Sequence, residues 1–283
     1  MYHISCQPTS TCIYWKRKKI INIRKEFTGE RKPKEFNHRA KMRCANAIKW
    51  LYISSKKKTV YSKKSKKYFM FKVNFITLTL SGKQSHTDKF IQCHMLQPFI
   101  KWMARKGASN YIWKAETQAN GNIHFHITTN VFIHWKSIRN KWNALQRNFG
   151  YLTDYTTRFG GTDANSTDVH SVVNEKQCLK YLAGYVTKEK KDRRKVDCRI
   201  WSCNYELSRA RIYLNEDHEN FTKECISLRS QATEEFEPAF YLEILQHPFL
   251  NILEKIPTLK AQLNKVVAEL NSKNIQQQKI IIE

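Results

Sequence analysis

Between residues 71 and 207 the apolar positions switch repeatedly between a period of two and a period near 3.6, and the switches mark out strands and helices. Phe71–Leu80 (FKVNFITLTL) is β-branched and aromatic, ends at Ser81-Gly82, and predicts a central strand. From about His86 to Lys106, the residues Phe90, Met95, Phe99 and Met103 supply one core face of a helix that Pro98 is expected to kink. Tyr111–Thr117 (YIWKAET) is a second strand. In the third, Ile123, Phe125 and Ile127 alternate with His124, His126 and Thr128, with Asn120-Gly121 as the turn signal before it. Trp135, Ile138, Trp142, Leu145 and Phe149 fall at three-four spacing, so this aromatic stripe is read as the core face of a helix. Ser166–Val173 predicts a fourth strand, in which His170 is read as structural. Asn174 then caps a helix containing QCLKYLAGYVTKEKK, with Glu175 in its first turn, and Arg199–Leu207 supplies a fifth strand. The order βαββαβαβ predicts an α+β domain over 71–205, a mainly antiparallel five-stranded sheet carrying helices.

Charge divides the chain further. The net charge is +26, and residues 1–70 hold 20 Lys+Arg against 3 acidic residues, whereas 206–283 hold 9 against 12. The first stretch is therefore read as a basic N-terminal arm, with clusters at Lys16–Lys19, Arg31–Lys34 and Lys56–Lys67 interleaved with Tyr14, Trp15, Trp50 and Tyr52. Such interleaving suits phosphate neutralisation with base stacking, or simply a solvated arm. Residues 206–283 are expected to be a mostly helical extension, in which Leu259, Leu263, Val266 and Leu270 mark a docking helix. So strong a positive balance implies a polyanionic partner, most simply nucleic acid. The eight cysteines form no Cys-x-x-Cys, which leaves a zinc ribbon unsupported and fits a reducing compartment. No apolar run is long enough to span a bilayer, and no apolar signal segment opens the chain.

The candidate chemistry starts at the hairpin, and its register decides the ligand set. A two-residue turn at Asn120-Gly121 pairs Thr117 with His124 and leaves Glu116 on the wrong face. A three-residue loop, Ala119–Gly121, puts Gly121 in a left-handed conformation and pairs Glu116 with His124, and this register is favoured. It gathers two imidazoles and one carboxylate on one face, an incomplete ligand set with room for water or a phosphate oxygen. The competing account is a hairpin with an ordinary polar outer face.

A second constellation lies in the helix after the fourth strand. Tyr181, Tyr185 and Lys188 sit at i, i+4 and i+7 and share one face, while Leu179, Leu182 and Val186 form a separate apolar stripe. A phenol with a pKa near about 10 is a poor nucleophile at neutral pH unless cations favour its phenolate. Lys188 and a nearby divalent metal would supply that field. Without the hairpin, an aromatic packing pair would be the simpler account.

Taken together, FITLTL at Phe75–Leu80, IHFHITTN with Glu116 upstream, and KYLAGYVTK at Lys180–Lys188 resemble the three motifs of the HUH endonucleases that initiate rolling-circle DNA replication. The likeness is strongest to the two-tyrosine initiators of small single-stranded DNA phages and plasmids. It covers about residues 70–205, including RIWSCN. One departure is Gly184, where many relatives carry a basic residue before the second tyrosine. The resemblance implies a ferredoxin-like HUH core and Mg²⁺ or Mn²⁺ held by His124, His126 and Glu116. It also implies catalytic Tyr181 and Tyr185 assisted by Lys188, a 5′-phosphotyrosine intermediate and a free 3′-hydroxyl primer. The partners it implies are single-stranded origin DNA and the host helicase and polymerase, in the cytoplasm of a bacterial host. A host helicase is needed because Ser81-Gly82-Lys83-Gln84 lacks the earlier glycine and the hydroxyl of a P-loop. The alternatives are an HUH transposase or relaxase, sharing the chemistry, and a noncatalytic single-strand-binding protein.

Overall fold

The computed structural model describes residues 2–7, 10–16, 36–172, 194–214, 232–236, 240–245, 257–272 and 280–282. The chain divides into two compact units, Met1–Lys32 with Arg209–Leu270, and Pro33–Ser208 with Asn271–Glu283. In the first unit, β1 (Tyr2–Gln7) and β2 (Ser10–Lys16) open a five-stranded antiparallel sheet completed by three strands from the C-terminal part of the chain.

The second unit begins with α1 (His38–Ser54). Asn37 caps it by accepting the Ala40 N–H at 2.9 Å, and Cys44, Ala47, Ile48 and Leu51 recur on one buried face. A hairpin follows, β3 (Lys58–Ser62) and β4 (Lys67–Phe71), and after Lys72 the chain enters β5 (Val73–Leu78). Next come α2 (Asp88–Ile91), a π-type turn at Gln92–Leu96 and α3 (Gln97–Arg105). The kink expected at Pro98 is thus met just before it: proline has no N–H to give, and the backbone widens by one residue where the α ladder would otherwise break. β6 (Tyr111–Thr117), β7 (Ile123–Thr129), α4 (Trp135–Asn148), α5 (Thr153–Phe159), β8 (Thr167–Val172) and β9 (Trp201–Cys203) complete the domain.

β5 to β9 form one sheet in the order β8-β5-β7-β6-β9, every neighbouring pair antiparallel. The α+β architecture with its five-stranded antiparallel sheet is the one the hydrophobic pattern predicts. Alternation gives the sheet two different faces. Ile76, Leu78, Trp113, Ala115, Ile123, Phe125 and Ile127 point to one side, where Ile91, Met95, Leu96, Phe99 and Met103 meet them together with Ile138, Trp142 and Leu145 of α4. Trp142 is the centre of this layer, edge-on to both Phe99 and Phe125, and its Nε1–H donates to the Thr79 carbonyl at 2.6 Å. Full burial of a side chain such as Phe125 contributes about 1.5–3 kcal/mol, so this face holds the sheet in place.

Beneath α4, the buried Gln146 accepts from the Ser81 N–H at 2.7 Å and donates to Asn143 Oδ1 at 3.1 Å, an oxygen that also accepts from Ser166 Oγ. The loops leaving β5 and entering β8 are thereby fixed to one helix. On the opposite sheet face, α1 lies against β6 and β9, with the Lys114 ammonium 5.1 Å from the Phe36 ring centroid.

The ends of the chain carry more strand than composition suggested. Within 206–283, read as mostly helical, the described residues include β10 (Ile212–Leu214), β11 (Ala232–Phe236), β12 (Phe240–Leu245) and β13 (Ile280–Ile282) beside one long helix, Pro257–Asn271. β10, β12 and β11 are the strands that join β1 and β2 in the first unit, while β13 pairs in parallel with β3. Apolar runs such as FYLEIL fit either period, and pairing with a distant strand decides between them. The Lys56–Lys67 cluster likewise belongs to an ordered hairpin.

Candidate metal centre

The register of the β6–β7 hairpin is the three-residue-loop alternative. Glu116 pairs with His124 and Lys114 with His126, while Gln118 N–H donates to Asn122 O at 2.8 Å to close the loop. Gly121 has φ +81°, and its N–H donates to Gln118 O at 3.0 Å. No atom crowds the place a Cβ would take there, so the backbone angle alone calls for glycine. The loop after β5 braces the turn: Gln84 N–H donates to Asn122 Oδ1 at 2.9 Å, and Ile123 N–H donates to Gln84 Oε1 at 2.7 Å. Gly82 passes so close to Tyr151 that an added Cβ would sit 3.1 Å from its carbonyl oxygen.

Because Phe125 and its apolar partners face the helices, Glu116, His124 and His126 emerge together on the other side. Both imidazole Nε2 atoms approach one carboxylate oxygen, Glu116 Oε2, at 3.6 Å from His124 and 3.7 Å from His126. The three donor atoms lie within 4.8 Å of one another. These separations are too long for good hydrogen bonds. His124 Nε2 is buried and has no hydrogen-bond partner. A buried polar atom left this way costs about 1–3 kcal/mol, a cost that a bound cation would remove.

Neighbouring groups hold the donors in place. Lys114 Nζ donates to Glu116 Oε1 at 2.6 Å, leaving Oε2 to face the imidazoles. Thr77, opposite His126 across the β5–β7 pair, has its Oγ1 3.2 Å from His126 Nδ1. With the proton on Nδ1 donated to that hydroxyl, His126 Nε2 keeps its lone pair for a metal, as ligating histidines commonly do. Burial tends to raise the Glu116 pKa, but His124, His126 and the Lys114 ammonium outweigh it and hold the carboxyl well below its usual range. Burial lowers the His126 pKa, with the His124 and Lys114 charges in the same direction and Glu116 opposing. A carboxylate and a neutral imidazole are the forms that ligate, and the residues fit a divalent ion that accepts oxygen and imidazole nitrogen.

His170, read as structural, pairs with Asp168 at 2.7 Å on the exposed surface of β8 and is not part of the metal cluster. Tyr181, Tyr185 and Lys188, together with Asn174 and Glu175, lie outside the described residues. The chain re-enters the described structure at Arg194, and the anchorage there was not foreseen. Arg194 Nη1 and Nη2 donate to the two oxygens of Asp88 at 2.7 and 2.8 Å, and Arg194 Nε donates to Gly121 O at the hairpin tip at 2.6 Å. Thr117 Oγ1 in turn donates to Arg194 O at 2.8 Å. Thr77 and Lys114 also carry no sequence signal of their role. Alternation places Thr77 on a face, but only strand order shows which histidine it meets.

A five-stranded antiparallel sheet bearing two imidazoles and a carboxylate on its open face is what a metal-dependent replication initiator of the HUH kind would present. Residues 73–190 match a family model of replication-associated proteins, the ORF2 type, which supports a rolling-circle replication initiator. No curated protein and no solved structure matches the chain. No helix among the described residues is long and apolar enough to cross a membrane.

Proposed function

We propose that the protein initiates replication by nicking single-stranded origin DNA, with Glu116, His124 and His126 holding Mg²⁺ or Mn²⁺ and Tyr181 or Tyr185 as nucleophile. The observation that carries this reading is the buried, unpartnered His124 Nε2 beside Glu116 and His126, inside the segment matched by the replication-associated family. A divalent ion there would supply Lewis-acid polarisation of the scissile phosphate and a template for its orientation. The protein's own contribution is preorganisation: Lys114 fixes the Glu116 carboxylate and Thr77 fixes the His126 ring, so neither must reorient when the phosphate arrives.

In the proposed reaction the phenolic oxygen loses its proton and forms a bond to phosphorus, the P–O3′ bond breaks, and the departing oxygen takes up a proton. The products are a 5′-phosphotyrosine and a 3′-hydroxyl that a host polymerase can extend. One phosphoester replaces another, so a second phenol four residues away can later carry out the terminating transfer. Lys188 shares the helical face of both tyrosines by sequence spacing and would favour the phenolate. Strand opening is assigned to a host helicase, and the setting to the cytoplasm of a bacterial host.

The test uses labelled single strands tiled across the protein's own replicon, incubated with the full chain and Mn²⁺ and resolved by denaturing electrophoresis. The wild type forms a covalent adduct on one of them, and the Tyr181→Phe/Tyr185→Phe double variant forms none. An adduct that persists in the double variant removes the assignment.

A further inference from the structure

The Lys56–Lys67 cluster has a definite shape. β3 and β4 pair Thr59 with Met70 and Tyr61 with Tyr68 on one face, and Val60 with Phe69 on the other. The second face is packed: Val60 is fully buried, and the Phe69 and Phe71 rings lie 6.0 and 5.5 Å from Phe132. The first face is open. Tyr68 is 69% exposed and Met70 46%, and the Tyr61 and Tyr68 rings lie 4.8 Å apart. Residues 56–72 contain eight lysines and no carboxylate, and Lys63, Lys64, Lys66 and Lys67 crowd the connecting turn and its edge. Lys66 adopts φ +52°, a left-handed turn conformation. Two large phenols left open on a folded strand pair, ringed by one sign of charge, are not explained by the packing of this domain.

We propose that the open face of this hairpin binds single-stranded DNA, the tyrosines stacking on bases and the turn lysines neutralising phosphates. A single strand is the occupant that fits. In a duplex the bases stack on one another and present only their edges, whereas an unpaired strand offers base faces to a phenol. The hairpin also adjoins the strand that carries the metal ligands: Lys58 Nζ donates to Asn130 O at 3.2 Å, just beyond the end of β7. His126 lies four residues up that strand, about 13 Å away at about 3.3 Å per residue. A strand held on the hairpin therefore has only a few nucleotides to cross to reach the metal centre. The biological role assigned to this contact rests on the proposed nickase function, but the contact itself does not.

The test measures fluorescence anisotropy of labelled oligonucleotides with EDTA present, so that no nicking occurs and failure of the nickase reading leaves the result standing. Tyr61→Ala/Tyr68→Ala should weaken single-strand binding about ten-fold or more. Tyr68→Trp should restore affinity to the Tyr68→Ala variant, while Tyr68→Leu, which keeps bulk and apolar contact, should not. Replacing Lys63, Lys64, Lys66 and Lys67 with glutamine should flatten the salt dependence by about 0.7 for each phosphate no longer neutralised. Far-UV circular dichroism confirms that each variant is folded. Wild-type affinity in the double alanine variant, rescue by leucine, or equal binding of a duplex of the same length would overturn the proposal, and tighter binding of RNA would overturn the assignment to DNA.

Discussion

Asp88 is the most consequential single carboxylate outside the metal centre, and replacing it with asparagine gives a quantitative test of the Arg194 anchorage. Its side chain is 1% exposed and accepts from both Arg194 terminal nitrogens, from Gln84 Nε2 at 2.8 Å and from the Asp197 N–H at 2.9 Å. Removing one partner of a buried pair costs about 3–5 kcal/mol. Arg194 is 39% exposed and regains water, so the lower end applies, about 3 kcal/mol. For a domain of this size that corresponds to a fall in Tm of roughly 6–12 °C. The pH dependence follows from the same contacts. Burial would raise the Asp88 pKa, but the hydrogen bonds from Arg194, Gln84 and the Asp197 N–H lower it below its ordinary value of 3.8. A depressed folded pKa means the stabilisation is complete above about 3.8 and is lost as pH falls through the folded value. Thermal melts of wild type and Asp88→Asn from neutral pH downward should therefore show a constant gap that narrows only below about 3.8. Equal melting temperatures at neutral pH would refute the reasoning, and so would a gap that closes well above that value.

Two further outcomes test the metal centre and its scaffold. Thr77→Val removes the hydroxyl at His126 Nδ1 and should weaken Mn²⁺ binding by about 10–100-fold in calorimetry while the fold persists. Unchanged affinity would show that the imidazole is oriented by packing alone. Gly121→Ala forces an L side chain into φ +81° and should lower stability by about 1–2 kcal/mol in urea unfolding, and no loss would mean the turn can readjust.

Local pattern carried the sheet because its strands alternate cleanly: the buried and half-buried positions from Ile123 to Ile127 follow the apolar and polar residues one for one. The ligand set was legible for the same reason, since Glu116, His124 and His126 all belong to one hairpin whose turn chemistry specifies its register. What escaped depends on contacts far apart in the chain. Lys114 bonds its own strand neighbour two residues on, yet whether it would reach Glu116 or solvent turns on α1 covering that part of the sheet. Asp88 and Arg194 are 106 residues apart, and no spacing rule joins them. Charge was misleading at Lys56–Lys67, where a lysine run resembling a solvated arm conceals Val60, Phe69 and Phe71 on the alternate positions that build a hairpin.

The donors of the metal centre are contributed by residues 116–126 alone. Chelation therefore closes over a short, contiguous piece of chain, and an ion needs no distant segment to arrive before it can be captured. Loading and strand transfer become separable properties: a chain with silent phenols can still be charged with metal, and added Mn²⁺ should protect the folded hairpin against unfolding to the same extent with or without a competent nucleophile.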